Sequence, residues 1–101
     1  MHERFQNIVN SEKPVLVDFY ADWCGPCKLM PPILKELKDQ FKDEIRIIKV
    51  NVDRNPVIAS EFQIRSIPTL LIFQNGQIRW KGVGVQSVTT LITQIELLRK
   101  Q

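Results

Sequence analysis

The stretch Trp23-Cys24-Gly25-Pro26-Cys27 holds both cysteines of the chain. Two cysteines separated by two residues can bind a metal, close a structural disulfide, or cycle between dithiol and disulfide. A structural zinc site needs four nitrogen or sulfur ligands, and the only other soft donor is His2, far away in the sequence. No metal site is expected. As a staple the pair is weak, because closing so short a loop contributes only about 2 kcal/mol of chain entropy, against about 3 for a fifteen-residue loop. Redox exchange needs a thiolate, an exposed sulfur and a second thiol close by, and a strand-to-helix corner supplies all three. The redox reading is therefore favoured.

The corner itself is legible. Val15 to Tyr20 is an apolar strand run, Ala21 to Pro26 contains turn residues, and from Cys27 onward the apolar positions fall into helical spacing. Cys24 is expected at the helix N-terminus, its sulfur near unpaired backbone N–H groups. An anion there gains about 0.3–1 kcal/mol, up to about 2 in partly buried geometry. At about 1.36 kcal/mol per pKa unit, that lowers a thiol by at most roughly 1.5 from its usual value of about 8.5.

The whole chain bounds the answer further. Its 101 residues, 44% of them hydrophobic, make a single domain, residues 1–101, with one core. The net charge of +3 comes from scattered Lys and Arg rather than a stripe, which gives no footprint for nucleic acid. No window approaches eighteen apolar residues, and Met1 to Asn10 lacks the apolar core of a secretory signal, so no membrane association and a cytoplasmic location are expected.

Outward from the corner, Phe5, Ile8 and Val9 lie at helical spacing in a short lead-in helix, Glu3 to Asn10, broken by Asn10-Ser11-Glu12-Lys13-Pro14. Val15 to Tyr20 is apolar on both faces except for Asp18, as in a central strand covered by helices. Asp18 has two readings: a solvated or hydrogen-bonded strand residue, or a proton acceptor for the neighbouring dithiol. The second is favoured, since burial raises a carboxyl pKa toward the working range. Met30, Leu34, Leu37 and Phe41 form the core stripe of the next helix, with Lys35, Glu36, Lys38 and Asp39 opposite. Pro31 and Pro32 fall inside that pattern, and a kink near Pro32 is expected.

Ile45 to Val52 is a second strand, with Ile48, Val50 and Val52 on one face and Ile47, Lys49 and Asn51 on the other. If it lies parallel to the first strand, Lys49 comes near Asp18; a snorkelling surface lysine is the alternative. Asn55-Pro56 reads as an N-cap and first helical position for a short helix, Val57 to Phe62, packing Ile58 and Phe62. Thr69 to Gln74 and Gln77 to Lys81 flank Asn75-Gly76, the signal of an antiparallel hairpin. Gly82-Val83-Gly84 is too short and wrongly placed for a phosphate loop and marks a close approach of backbone to a neighbour. Ser87 caps a last helix carrying Val88, Leu91, Ile92, Ile95 and Leu98, with Arg99 and Lys100 against its dipole.

Together these pieces resemble the thioredoxin family. The matching residues are Val15, Asp18 and Phe19, then Trp23-Cys24-Gly25-Pro26-Cys27-Lys28, Pro32, Asn51-Val52-Asp53, Ile67-Pro68-Thr69, Asn75-Gly76 and Val83-Gly84, in family order and spacing. The resemblance extends from about Phe5 to the C-terminus. It implies an α/β thioredoxin fold, a mixed central sheet of about four strands flanked by helices, with the usual first strand shortened or absent and the Ile45 strand at a sheet edge. By the same resemblance Cys24 is the attacking cysteine and Cys27 the resolving one, and Asp18 and Lys49 form a buried pair managing the proton. Pro68 corresponds to a cis-proline, and Trp23, Gly25, Pro26, Ile67, Pro68, Val83 and Gly84 correspond to the rim of a substrate groove.

The implied function is a protein-disulfide reductase, a thiol–disulfide oxidoreductase working through a mixed disulfide, with Gly25-Pro26 the dipeptide of the reducing branch. It implies no bound cofactor; electrons come from an NADPH-dependent flavoprotein, thioredoxin reductase, and go to oxidised client proteins, with the chain acting as a monomer. Two other functions remain: an interaction module using the apolar groove without exchange, which the intact cysteines disfavour, and a disulfide-forming oxidant, which Gly25-Pro26 disfavours. Tyr20 departs from the family's usual tryptophan and Ser66 from its usual glycine.

Overall fold

The computed structural model describes residues 2–99. Four helices, α1 (His2–Val9), α2 (Met30–Phe41), α3 (Pro56–Glu61) and α4 (Val88–Arg99), surround strands β1 (Val15–Tyr20), β2 (Arg46–Asn51), β3 (Thr69–Gln74) and β4 (Gln77–Val83). The strand order is β2-β1-β3-β4, with β1 parallel to β2 and antiparallel to β3, and β3 antiparallel to β4. This is the mixed four-stranded sheet expected. Among the described residues β2 is an edge, as anticipated for the Ile45 strand.

Period-two alternation along β1 sends Val15, Val17 and Phe19 to one face and Leu16 to the other. Leu16 joins Met30, Leu34, Leu37 and Phe41 of α2 and Leu91, Ile95 and Leu98 of α4. The opposite face packs Phe5 and Val9 of α1 and Ile58 of α3. There Phe62 lies 5.4 Å from Phe73 and 5.6 Å from Phe5, ring centre to ring centre, and Phe5 lies 5.7 Å from Phe73. Each such pair adds about 0.5–1.5 kcal/mol beyond its buried area.

The hairpin between β3 and β4 turns on Asn75 (φ 53°) and Gly76 (φ 78°), both left-handed as a type I′ turn requires. A register shift follows: Phe73 faces Ile78 but Ile72 faces Trp80, which leaves Arg79 as the extra residue of a bulge. Trp80 thereby packs against the α2–α4 core. β4 continues past the expected Lys81 to Val83, so Gly82 is a strand residue, and a Cβ there would run into the Trp80 ring and the Gln86 side chain.

Several local expectations are corrected. The winding that begins at the cysteine pair is not one continuous α-helix. A 3-10 turn, Pro26–Leu29, precedes α2, which starts at Met30 with Pro31 and Pro32 in its first turn. The first N–H groups of a helix have no partner within it, so two prolines there remove nothing, and they mark a helix start. Lys38 is not a member of a purely solvated face: its ammonium donates to the carbonyls of Lys42 and Ile45, each at 2.7 Å, closing the end of α2. Asn55 occupies the N-cap position of α3 but makes no side-chain cap, its amide donating instead to the Asn51 carbonyl at 3.0 Å. Ser87 does cap α4, accepting the Thr90 N–H at 3.1 Å. Arg99 pairs with Glu44 and Glu96, each at 2.7 Å; Lys100 lies outside the described residues.

Candidate active site

β1 ends at Tyr20, and the chain turns at once. The Cys24 N–H donates back to the Ala21 carbonyl at 3.2 Å, and the Lys28 N–H to the Gly25 carbonyl at 3.0 Å. This winding brings the Cα atoms of Cys24 and Cys27 to 5.3 Å, and the two sulfurs are joined as a disulfide. The Cys27 N–H donates to Cys24 Sγ at 3.2 Å. The expectation of an exposed Cys24 is corrected: Cys24 is 4% exposed and Cys27 5%. The reason is tertiary, since Ala21, Tyr20, Val52 and Ile67 pack around the pair.

From 43 residues further along, the carbonyl oxygen of Ile67 comes within 3.8 Å of Cys24 Sγ. A disulfide sulfur has no proton to donate, so this is a contact here; the reduced thiol could donate to the same oxygen. The Ile67–Pro68 bond is cis, the isomer the resemblance implies. The Gly84 N–H donates to the Pro68 carbonyl at 2.8 Å, which sets Val83 and Gly84 beside the Ile67–Pro68 segment. Gly84 has φ +91°, a conformation for which glycine is suited.

Around the disulfide, Gly25 and Pro26 are exposed, Ile67 is half-buried and Pro68 is buried. Trp23 is 72% exposed and Val83 58%, so two large apolar side chains face solvent here. Trp23 is nevertheless oriented, because its Nε1–H donates to Asp53 Oδ2 at 2.8 Å. Asp53 is in turn set by Asn51, whose buried side-chain oxygen accepts the Asp53 N–H at 2.9 Å and the Arg54 N–H at 3.3 Å. Sequence reasoning assigns neither Asn51 nor Asp53 a role. The signal that could have found them is the Asn-x-Asp spacing directly after a strand, where an asparagine oxygen closes a turn on the N–H two residues on.

Asp18 is fully buried, and neither carboxylate oxygen has a hydrogen-bond partner. Burial pushes its pKa up to about 6, with the Lys49 charge pulling in the other direction. A cavity of about 170 Å³ lies behind the disulfide, lined by Asp18, Tyr20, Asp22, Cys27, Lys28 and Lys49, among others. Asp18 and Cys27 thus share one cavity, although the Asp18 oxygens themselves are closed off from solvent. β1 and β2 do place Asp18 and Lys49 opposite each other. The expected buried pair is corrected all the same: Lys49 is exposed, its ammonium 5.4 Å from the centre of the Tyr20 ring, and it forms no ion pair with Asp18. Among the described residues no three His, Cys, Asp or Glu side chains come together as a metal site.

Comparison with known proteins agrees with this geometry. The thioredoxin family model matches residues 1–97. The chain is 47% identical to thioredoxin 1 of Nostoc sp. over 91 residues, 90% of this chain and 85% of that protein. The oxidised form of mitochondrial thioredoxin 3 from Saccharomyces cerevisiae superposes with a TM-score of 0.84 at 36% identity, covering 94% of this chain and 88% of that one. A structure from work on the thiol resolving mechanism of yeast mitochondrial 1-Cys peroxiredoxin via glutathione and thioredoxin systems also matches at 0.84, with 34% identity over 93% of this chain and 87% of its own. With a buried Cys24–Cys27 disulfide at the turn between β1 and α2, the chain belongs to the thioredoxin family and is a thiol–disulfide oxidoreductase.

Proposed function

We propose that the chain reduces disulfides of client proteins, with Cys24 as nucleophile, Cys27 as resolving thiol and Asp18 as proton acceptor. The Cys24 thiolate attacks one sulfur of the client disulfide; that S–S bond breaks, a mixed disulfide forms, and the departing client sulfur takes up a proton. The Cys27 thiol passes its proton toward Asp18 through the shared cavity. Its thiolate then attacks Cys24 Sγ, the second client sulfur leaves as a thiolate and is protonated, and the protein is left in the disulfide form. The client gains two electrons and two protons. The carrying observation is the unpartnered, buried Asp18 carboxyl on the cavity that Cys27 also lines. A carboxyl with its pKa near 6 accepts a proton at neutral pH better than an ordinary carboxylate would.

Clients bind as extended segments over Trp23, Gly25, Pro26 and Val83, their backbone meeting that of Ile67, with the apolar exposure of Trp23 and Val83 supporting that surface. Regeneration comes from a flavoprotein thioredoxin reductase drawing on NADPH, and the working compartment is the cytoplasm, where thiols are kept reduced. One structural neighbour comes from work on peroxiredoxin thiol resolution via glutathione and thioredoxin systems, which supports thiol proteins as clients. The test is insulin-disulfide reduction with NADPH and a flavoprotein thioredoxin reductase, alongside the equilibrium potential against glutathione and the location of a tagged chain. NADPH consumption that depends on Cys24 and Cys27 is expected; a potential more oxidising than glutathione would overturn the reducing direction.

A further inference from the structure

Asp18, Tyr20 and Lys49 form a triangle on one face of the sheet. Asp18 and Tyr20 are two apart on β1 and therefore point the same way, and Lys49 sits opposite Asp18 on the parallel neighbour β2. Adjacent strands run about 4.8 Å apart, well within the reach of a lysine side chain. Lys49 nonetheless leaves both Asp18 oxygens without a partner and places its ammonium over the Tyr20 ring, 5.4 Å from the centre. All three residues line the cavity that reaches Cys27.

We propose that Tyr20 is a positioning residue for the redox reaction: its ring holds the Lys49 ammonium away from Asp18, so that the buried carboxyl stays free to take the Cys27 proton. The inference rests on the reading of Asp18 as proton acceptor. The physical reason is a competition for one cation. An ammonium over an aromatic face is attracted by the ring quadrupole while keeping most of its water. Swinging inward to Asp18 would require desolvation, with a buried ion pair as the return. With the ring present the outward position wins, and the carboxyl feels Lys49 only at a distance. Without the ring, Asp18, opposite Lys49 on the neighbouring strand, becomes a countercharge for it, and a directly paired carboxylate holds its charge and accepts a proton poorly. The other charged groups on the cavity are Lys28 from the 3-10 turn and Asp22 from the loop before it; on the β3 side Asp18 faces Leu70.

The experiment is a carbon NMR titration of the Asp18 carboxyl in the oxidised protein, with the pH profile of mixed-disulfide resolution as second readout. Tyr20→Leu should lower the Asp18 midpoint by about 1 pH unit or more, the range for a carboxylate gaining a cation within about 4–6 Å. Tyr20→Phe and Tyr20→Trp, which keep a ring, should leave it in place. In a Lys49→Met background Tyr20→Leu should move nothing, while in a Lys28→Met background the shift should persist. A Tyr20→Leu midpoint equal to wild type, or a shift that survives Lys49→Met, overturns the proposal. If Tyr20→Leu does not fold, the wild-type protein decides: Lys49 side-chain protons should be displaced upfield by the Tyr20 ring, and unshifted resonances overturn it. If Asp18→Asn leaves the resolution profile unchanged, the proton-acceptor reading falls on its own, and the titration still decides whether Tyr20 holds Lys49.

Discussion

The backbone N–H of Cys27 donates to Cys24 Sγ at 3.2 Å, while Cys27 itself lines the cavity it shares with Asp18. One sulfur has a fixed donor, and the other shares its cavity with the carboxyl proposed as its proton acceptor. A hydrogen bond to a charged group contributes about 1.5–3 kcal/mol, about tenfold or more in the thiolate population it stabilises. In the reduced protein at pH 7, alkylation should therefore label Cys24 at least about tenfold faster than Cys27. Mass mapping of a short iodoacetamide pulse checks this, and equal labelling would remove the asymmetry. Cys24→Ser should abolish turnover, and Cys27→Ser should accumulate mixed disulfides with clients.

Asp18→Asn should stabilise the oxidised protein, with a defined pH dependence. The folded-state pKa of about 6 lies above the ordinary value of 3.8, so as pH rises from 3.8 to 6 the unfolded chain loses its proton first and folding is penalised. The penalty is complete above pH 6, on the order of 3 kcal/mol at pH 8 and roughly half that at pH 5. Removing the carboxylate should therefore help more at pH 8 than at pH 5, by on the order of 1 kcal/mol. Urea denaturation at the two pH values measures this; the same gain at both would mean that burial does not raise the Asp18 pKa. In the same variant, formation of the mixed disulfide should be little changed and its resolution slowed near neutral pH.

Hydrogen exchange should resolve the edge strand residue by residue. The Arg46 and Val52 N–H groups donate to the Pro14 and Tyr20 carbonyls, so alternation directs Ile48 and Val50 toward β1 and Ile47, Lys49 and Asn51 outward. For these 101 residues, Ile48 and Val50 should exchange slowly and Ile47 and Lys49 quickly. Uniform protection along β2 in a monomer would show the edge to be covered.

Two glycine substitutions should part in their effect. A Cβ on Gly82 meets the Trp80 ring and Gln86, and overpacking of this kind costs about 1–3 kcal/mol. Gly25 has helical dihedrals and open space beside it, so Gly25→Ala should be close to neutral for stability. Thermal melts of the two variants provide the comparison; equal melting temperatures would contradict the Trp80 contact.

What the sequence determined by itself was whatever depends on neighbours along the chain. β1 and β3 follow from short apolar runs, the hairpin from Asn75-Gly76, the α4 start from Ser87, and the cysteine pair from its spacing. Periodicity and turn chemistry act over a few residues, so a linear reading captures them. The tertiary structure decided what depends on residues far apart. The Ile67 carbonyl reaches Cys24 only because β3 lies beside β1, and the same packing buries sulfurs that local sequence would leave exposed. Trp23 is oriented by Asp53, thirty residues on. The register brings Lys49 opposite Asp18, but only the tertiary structure shows the ammonium by the Tyr20 ring and not on the carboxylate, because pairing and desolvation depend on the whole surroundings of both residues.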